Sequence, residues 1–113
     1  MIQIYHNQRC GKSRNCLTFL EKSGKEFQII KYLEDNLSIK ELTSLLKKLK
    51  IKPIKLVRQK EKIWIEKFKG KTLTDDEIIQ AMVKNPILIE RPIVINGDKA
   101  IFGRDLEKVV PFI

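Results

Sequence analysis

The 113-residue chain has little of several features that would narrow its class. Two cysteines and a single histidine are too few and too poorly placed to make a zinc site, so no bound metal is expected. No apolar run approaches the ~18 residues that a membrane helix needs. The N-terminus, "MIQIYHNQ", lacks the basic start and apolar core of a signal peptide. We therefore expect a cytoplasmic protein without a membrane partner, in which the cysteines are thiols rather than a disulfide.

Acidic residues are scarce in one segment, which holds the whole of the net charge of +9. Residues 40–71 contain twelve lysines and arginines against three acidic residues, whereas the rest of the chain has eleven of each. Solvated helix faces explain most such lysines, and an anionic partner is the alternative. Only Trp64 and Phe68 could stack on bases, so specific binding of nucleic acid is not expected.

The spacing of apolar residues predicts the order β-α-β, a helical insert, then β-β-α. Ser38 with Glu41 forms a capping box, Thr74 begins another helix, and "NGD" joins the last two strands as a hairpin. The predicted strands are 2–5, 27–33, 92–95 and 100–103, and the outer helices are about 13–23 and 104–110. This order predicts an α/β, thioredoxin-like fold with a four-stranded mixed sheet and flanking helices. We expect one domain, residues 1–113, with a helical insertion at about 38–86.

The stretch "IYHNQRCGKSRN", residues 4–15, places Cys10 in a polar turn between the first strand and a helix. Backbone N–H groups at a helix N-terminus favour an anion and lower a thiol pKa. His6 could add a positive charge or a hydrogen bond, Ser13 could donate its hydroxyl to the sulfur, and Arg14 flanks the site. The alternative is a spare thiol. Cys16 lies six residues on, about 120° around the helix from Cys10, and is predicted to be core.

Three arginines are candidate oxyanion ligands, because arginine binds tetrahedral oxyanions with two parallel hydrogen bonds. Arg58 follows an apolar pair, Arg91 precedes Pro92 at the start of a strand, and Arg104 follows the last strand. Pro92 fits the position at which thioredoxin-like folds place a cis proline opposite the active-site cysteine. Each arginine could also be an ordinary surface residue.

Taken together, the turn, the arginines and the segment "LTDDEIIQAMVKNPILIERPIVI" resemble the ArsC family of glutaredoxin-linked arsenate reductases, whose relatives include the Spx regulators. The resemblance covers essentially the whole chain. It implies that Cys10 attacks arsenate held by Arg58, Arg91 and Arg104. It also implies glutathione as co-substrate and glutaredoxin as the partner that completes reduction, with no bound cofactor. A monomer is expected.

Two other functions remain open from the sequence. One is a glutathione-dependent thiol oxidoreductase of the same family, in which the arginines hold glutathione carboxylates. The other is an Spx-like regulator that binds RNA polymerase through the basic segment. Ser13 occupies the second position of the C-x-x-C pair that the Spx branch commonly carries. The three arginines argue against a purely regulatory role, because a docking protein needs no oxyanion pocket.

Overall fold

The computed structural model describes residues 1–35 and 37–113, and its elements follow the predicted order. The strands are β1 (Ile2–Tyr5), β2 (Phe27–Ile30), β3 (Ile93–Asn96) and β4 (Lys99–Phe102). The helices are α1 (Gly11–Lys22), α2 (Ile39–Leu49), α3 (Pro53–Leu56), α4 (Lys62–Lys67), α5 (Asp75–Lys84) and α6 (Leu106–Phe112), with a short 3-10 turn at Pro86–Leu88. None of the helices in these described ranges is long and apolar enough to cross a membrane.

The four strands form one sheet in the order β2-β1-β3-β4. β1 runs parallel to β2, with Ile4 opposite Ile29, as expected for a strand–helix–strand crossover. β3 is antiparallel to both β1 and β4, and the hairpin between β3 and β4 turns at Gly97, whose φ is +67°. The predicted four-stranded mixed sheet is therefore confirmed.

The chain divides into two compact units, the first of which holds the sheet (Met1–Asp35 with Arg91–Ile113). Its core joins Ile4 of the sheet to Cys16 and Leu20 of α1 and to Val109 of α6, all fully buried. Burying a side chain the size of isoleucine or leucine stabilises a fold by about 1.5–3 kcal/mol. Cys16 is thus a core residue, as predicted.

The second unit, Asn36–Glu90, is helical. Leucines on one face of α2 are buried, and α2 packs against α5. Both helices begin with a full capping box, Ser38 with Glu41 and Thr74 with Glu77, so the predicted helix starts are confirmed. The predicted insertion at about 38–86 falls within this unit. The description of the chain as one domain stays a prediction.

Most element boundaries differ from the prediction by one to three residues, β3 and β4 by one each, and three of the differences have local reasons. β2 ends at Ile30, because the amides of Glu34 and Asp35 fold back onto the carbonyl of Lys31. The first helix begins at Gly11, two residues early, because Cys10 itself is its N-cap. The last helix begins at Leu106, because the carboxylate of Asp105 accepts from the amide of Glu107 and caps it.

Candidate active site

Cys10 stands at the N-terminus of α1 and is half-buried. Its amide donates to the carbonyl of Asn7 and its carbonyl accepts from the amide of Arg14, both at 3.0 Å, so the turn and the helix hold its backbone on either side. The first turn of α1 has no acidic residue, and across the described residues no side chain caps this helix. In α2 and α5, by contrast, the hydroxyl and the glutamate of a capping box accept hydrogen bonds from N-terminal backbone amides. α1 therefore leaves its N-terminal amides available to the sulfur.

The pKa of the Cys10 thiol is lowered from its ordinary value by its neighbours. Burial is the largest influence and by itself would raise the pKa. The backbone N–H of Ser13, the side chain of Arg91 and the backbone N–H of Lys12 outweigh burial, because they donate hydrogen bonds to the sulfur. The positive charge of Arg91 adds to this effect. The thiolate, which is the reactive form, is favoured at this position.

His6 and Ser13 are buried and share a hydrogen bond of 2.7 Å between Nδ1 and Oγ. Burial and the positive charge of Lys31 lower the pKa of His6, although the hydrogen bond with Ser13 opposes them, so the neutral ring is favoured. The hydrogen bond of His6 is thus to Ser13, and its role towards Cys10 stays a prediction. Ser13 in turn reaches Cys10 through its backbone N–H, while its hydroxyl is held by His6.

Asn7 is a site residue that the sequence reasoning missed. It is only 3% exposed, and its backbone N–H donates to Ser13 Oγ at 3.0 Å. Its side-chain Oδ1 accepts from the amide of Arg9 at 2.9 Å, which closes an Asx turn just before Cys10. The sequence signal that could have identified Asn7 is an asparagine in a polar turn, because its side chain can accept from the backbone amide two residues later.

Arg91 is the arginine that the structure brings to Cys10. It is 8% exposed and precedes Pro92 through a cis peptide bond, in agreement with the expected cis proline. Arg104 lies beside it, because its Nε donates to the backbone carbonyl of Arg91 at 3.2 Å. The amide of Gly103 donates to the carbonyl of Pro92 at 2.8 Å, which ties the end of β4 to the same segment. Cys10, Arg91 and Arg104 thus all belong to the first unit.

Arg14 and Arg58 are engaged elsewhere. Arg14 is exposed, and its Nη1 donates to the carbonyl of Gln8 at 3.0 Å, which braces the turn. Arg58 belongs to the second unit, where its Nε donates to Glu61 at 3.2 Å and its Nη1 to Glu90 at 2.9 Å. Burial would lower the pKa of Arg58, but these two carboxylates hold it above its ordinary value. The roles of Arg14 and Arg58 towards a substrate stay predictions.

Cys16 is chemically the opposite of Cys10. It is fully buried, and burial raises the pKa of its thiol to about 11. Both cysteines are unbridged. Among residues 1–35 and 37–113, no group of three or more His, Cys, Asp or Glu side chains could hold a metal ion.

Comparison with models of known protein families identifies the family of this chain. The model of the ArsC family matches residues 5–112, nearly the whole chain. The chain belongs to the ArsC family. Among curated relatives, the uncharacterized protein YfgD of Escherichia coli is 41% identical over 99% of this chain and 96% of its own length. The arsenate reductase of Haemophilus influenzae is 41% identical over 95% of this chain and 94% of its own length.

Solved structures agree with the family assignment. The arsenate reductase from Vibrio cholerae is 40% identical, covers 99% of this chain and 97% of its own, and superposes with a TM-score of 0.92. This likeness confirms the thioredoxin-like fold predicted for this chain.

Proposed function

We propose that the protein is a thiol-dependent arsenate reductase in which Cys10 is the nucleophile. The observation that carries the proposal is the position of Cys10 at the start of α1. The Arg91 side chain donates a hydrogen bond to its sulfur, and the pKa of its thiol is lowered. Relatives named arsenate reductase over nearly the whole chain support arsenate as the substrate. No resident cofactor is part of the proposal.

In the first step the Cys10 thiolate attacks arsenic, forms an S–As bond and displaces one oxygen, which leaves as water after protonation. A glutathione thiolate then attacks the Cys10 sulfur. The S–As bond breaks with its electron pair passing to arsenic, so arsenic is reduced from As(V) to As(III) and arsenite leaves. A mixed disulfide between Cys10 and glutathione remains, and glutaredoxin resolves it by thiol exchange and restores the thiolate.

Arg91 and Arg104 are the proposed oxyanion ligands of the first unit. Arg91 lies against the sulfur, and a fixed positive charge there would stabilise the anionic oxygens of arsenate as the S–As bond forms. Arg104 is bonded to the backbone of Arg91, so its position is set by the same segment. For Arg58 the proposal demands more, because two of its donor atoms already bond carboxylates. Binding arsenate would need its other N–H groups or the release of Glu61 or Glu90.

The experiment is arsenate-dependent oxidation of NADPH, coupled through glutathione reductase, with purified protein, glutathione and a working glutaredoxin. We expect turnover by the natural protein and none by Cys10→Ser, since the step is covalent and an unactivated hydroxyl is a far weaker nucleophile. Cys16→Ala is the matched control and should retain turnover. Omission of glutaredoxin should abolish turnover if it is the resolving partner.

The same assay distinguishes the related thiol chemistry. Protein that gives no arsenate-dependent turnover, yet reduces a glutathione mixed disulfide through Cys10, would contradict the proposal. The chain would then be a glutathione-dependent oxidoreductase of the same fold. In that case Arg91 would hold a glutathione carboxylate rather than an arsenate oxygen.

A further inference from the structure

A groove on the second unit lies apart from the residues of the proposed reaction. It has a volume of about 400 Å³ and runs along the end of α2, the following loop and α5. Its floor is apolar and consists of Leu46, Ile51, Pro53 and Ile79. Ile51 is half-buried and the other three are buried. The volume is in the range that holds one or two side chains of a bound segment.

The rim of this groove is basic. Lys47, Lys50 and Lys52 line it and are exposed, against the single carboxylate of Asp75. A concave surface with fixed positive charges raises the local concentration of an acidic partner. The lysines here surround an apolar floor, and that combination differs from an ordinary solvated helix face.

Lys50 has an unusual backbone for a lysine. It caps the C-terminus of α2 with φ 57° and ψ 43°, the left-handed region. Glycine is the usual residue there, because a Cβ atom is disfavoured in this conformation. Of the residues with positive φ in the described ranges, Lys50 alone is not glycine. A lysine in this disfavoured conformation lines the groove, and we take the unusual backbone as a sign that its side chain has a use there.

We propose that this groove binds an acidic segment of a protein partner, with an apolar side chain on the floor and carboxylates against the three lysines. A protein segment is favoured over nucleic acid by the lining. The described lining residues include no aromatic side chain on which a base could stack.

Binding is measured by fluorescence anisotropy with the full chain and a labelled peptide that carries a Leu-Leu pair between two runs of three glutamates. We expect the Kd to weaken by about tenfold or more in a Lys47→Gln, Lys50→Gln, Lys52→Gln triple variant. Lys71→Gln is the matched control, an exposed lysine of the same unit outside the groove, and should change the Kd by less than about twofold. A peptide with Ser-Ser in place of Leu-Leu should bind about tenfold more weakly, because the floor is then unused.

A second variant separates binding from folding. Lys50→Gly should raise the unfolding temperature, because the left-handed strain is relieved, and at the same time weaken peptide binding by about threefold. In NMR spectra of the isotope-labelled protein, the changes in amide chemical shift on adding the peptide should cluster at residues 43–53 and 75–79. Equal effects of Lys50→Gly and Lys71→Gln on the Kd, or shifts spread over the lysines of the whole chain, would overturn the proposal. So would tighter binding of a DNA duplex than of the peptide at about 150 mM salt.

Discussion

Cys10 and Cys16 lie six residues apart on either side of the start of one helix, and their chemistry is opposite. Cys10 meets backbone amides and Arg91, so its thiol pKa is lowered. Cys16 meets only the apolar core, and burial raises its pKa to about 11. Burial acts to raise the pKa of both thiols, so the difference comes from the hydrogen-bond donors and the positive charge of Arg91 around Cys10. The surroundings of each sulfur set its pKa, and closeness in sequence does not.

The largest effect on turnover is expected from a change at Arg91, whose side chain donates a hydrogen bond to the sulfur of Cys10. Arg91→Lys keeps the positive charge but loses the planar fork that bonds two oxygens at once. We expect arsenate turnover to fall about a hundredfold, or roughly 3 kcal/mol of transition-state stabilisation. Steady-state rates in the coupled assay measure this. Arg9→Lys, at an exposed arginine of the turn that holds Cys10, is the control and should keep its rate. An unchanged rate in Arg91→Lys would mean that Arg91 acts only as a nearby charge.

The second prediction tests how tightly Cys16 is packed. A Cβ atom at Gly103 would lie 2.7 Å from Cys16 Sγ and 3.1 Å from Val94 Cγ2, so Gly103→Ala should destabilise the fold by about 1–3 kcal/mol. Chemical denaturation measures the free energy of unfolding. Removing the sulfur with Cys16→Ala should recover at least about 1 kcal/mol of that loss in the double variant.

Gly11→Ala is the matched control for this pair. Its new Cβ atom would meet only the Arg14 side chain, at an ordinary 3.6 Å. Its effect on stability should stay within about 1 kcal/mol. If Gly103→Ala and Cys16→Ala were strictly additive, the sulfur would not be the obstacle that the structure indicates.

The third prediction concerns alkaline pH. The pKa of Cys16 is raised to about 11 in the fold from an ordinary 9.0, so the unfolded chain ionises this thiol first. The stability that the buried neutral thiol contributes is fully present below pH 9 and is lost as pH rises towards 11. At pH 11 the natural protein should have lost about 2 kcal/mol more than Cys16→Ala. Denaturant midpoints of both proteins across this range measure the difference, and parallel curves would contradict it.

Local signals allowed much of this structure to be predicted. The capping box at Ser38 and the helix start at Thr74 depend on residues within a few positions, so the sequence was sufficient for them. The arrangement of Cys10 before a helix and Arg91 before a proline likewise depends on short motifs. The four-stranded sheet followed from the order of these elements, because a strand–helix–strand unit and a hairpin leave few topologies.

Contacts between distant residues could not be predicted in this way. Arg58 meets Glu90, which is 32 residues away, and no spacing rule connects them. The contact of Gly103 with Cys16 depends on the packing of β4 against α1. The lowered pKa of His6 depends on its burial and on Lys31 of the segment after β2. Each of these follows from tertiary packing, which fixes the surroundings of a group only once the fold exists.

The most direct test of the central contrast is the rate of iodoacetamide alkylation of each cysteine against pH, followed by mass spectrometry of the folded protein. Cys10 in the Cys16→Ala background should react at pH 7, and its rate should follow an apparent pKa below the ordinary 9.0. Cys16 in the Cys10→Ser background should react at least about 100-fold more slowly, because its thiol is buried and protonated. Equal rates in the folded protein, or a Cys10 midpoint at or above the ordinary value, would contradict the account.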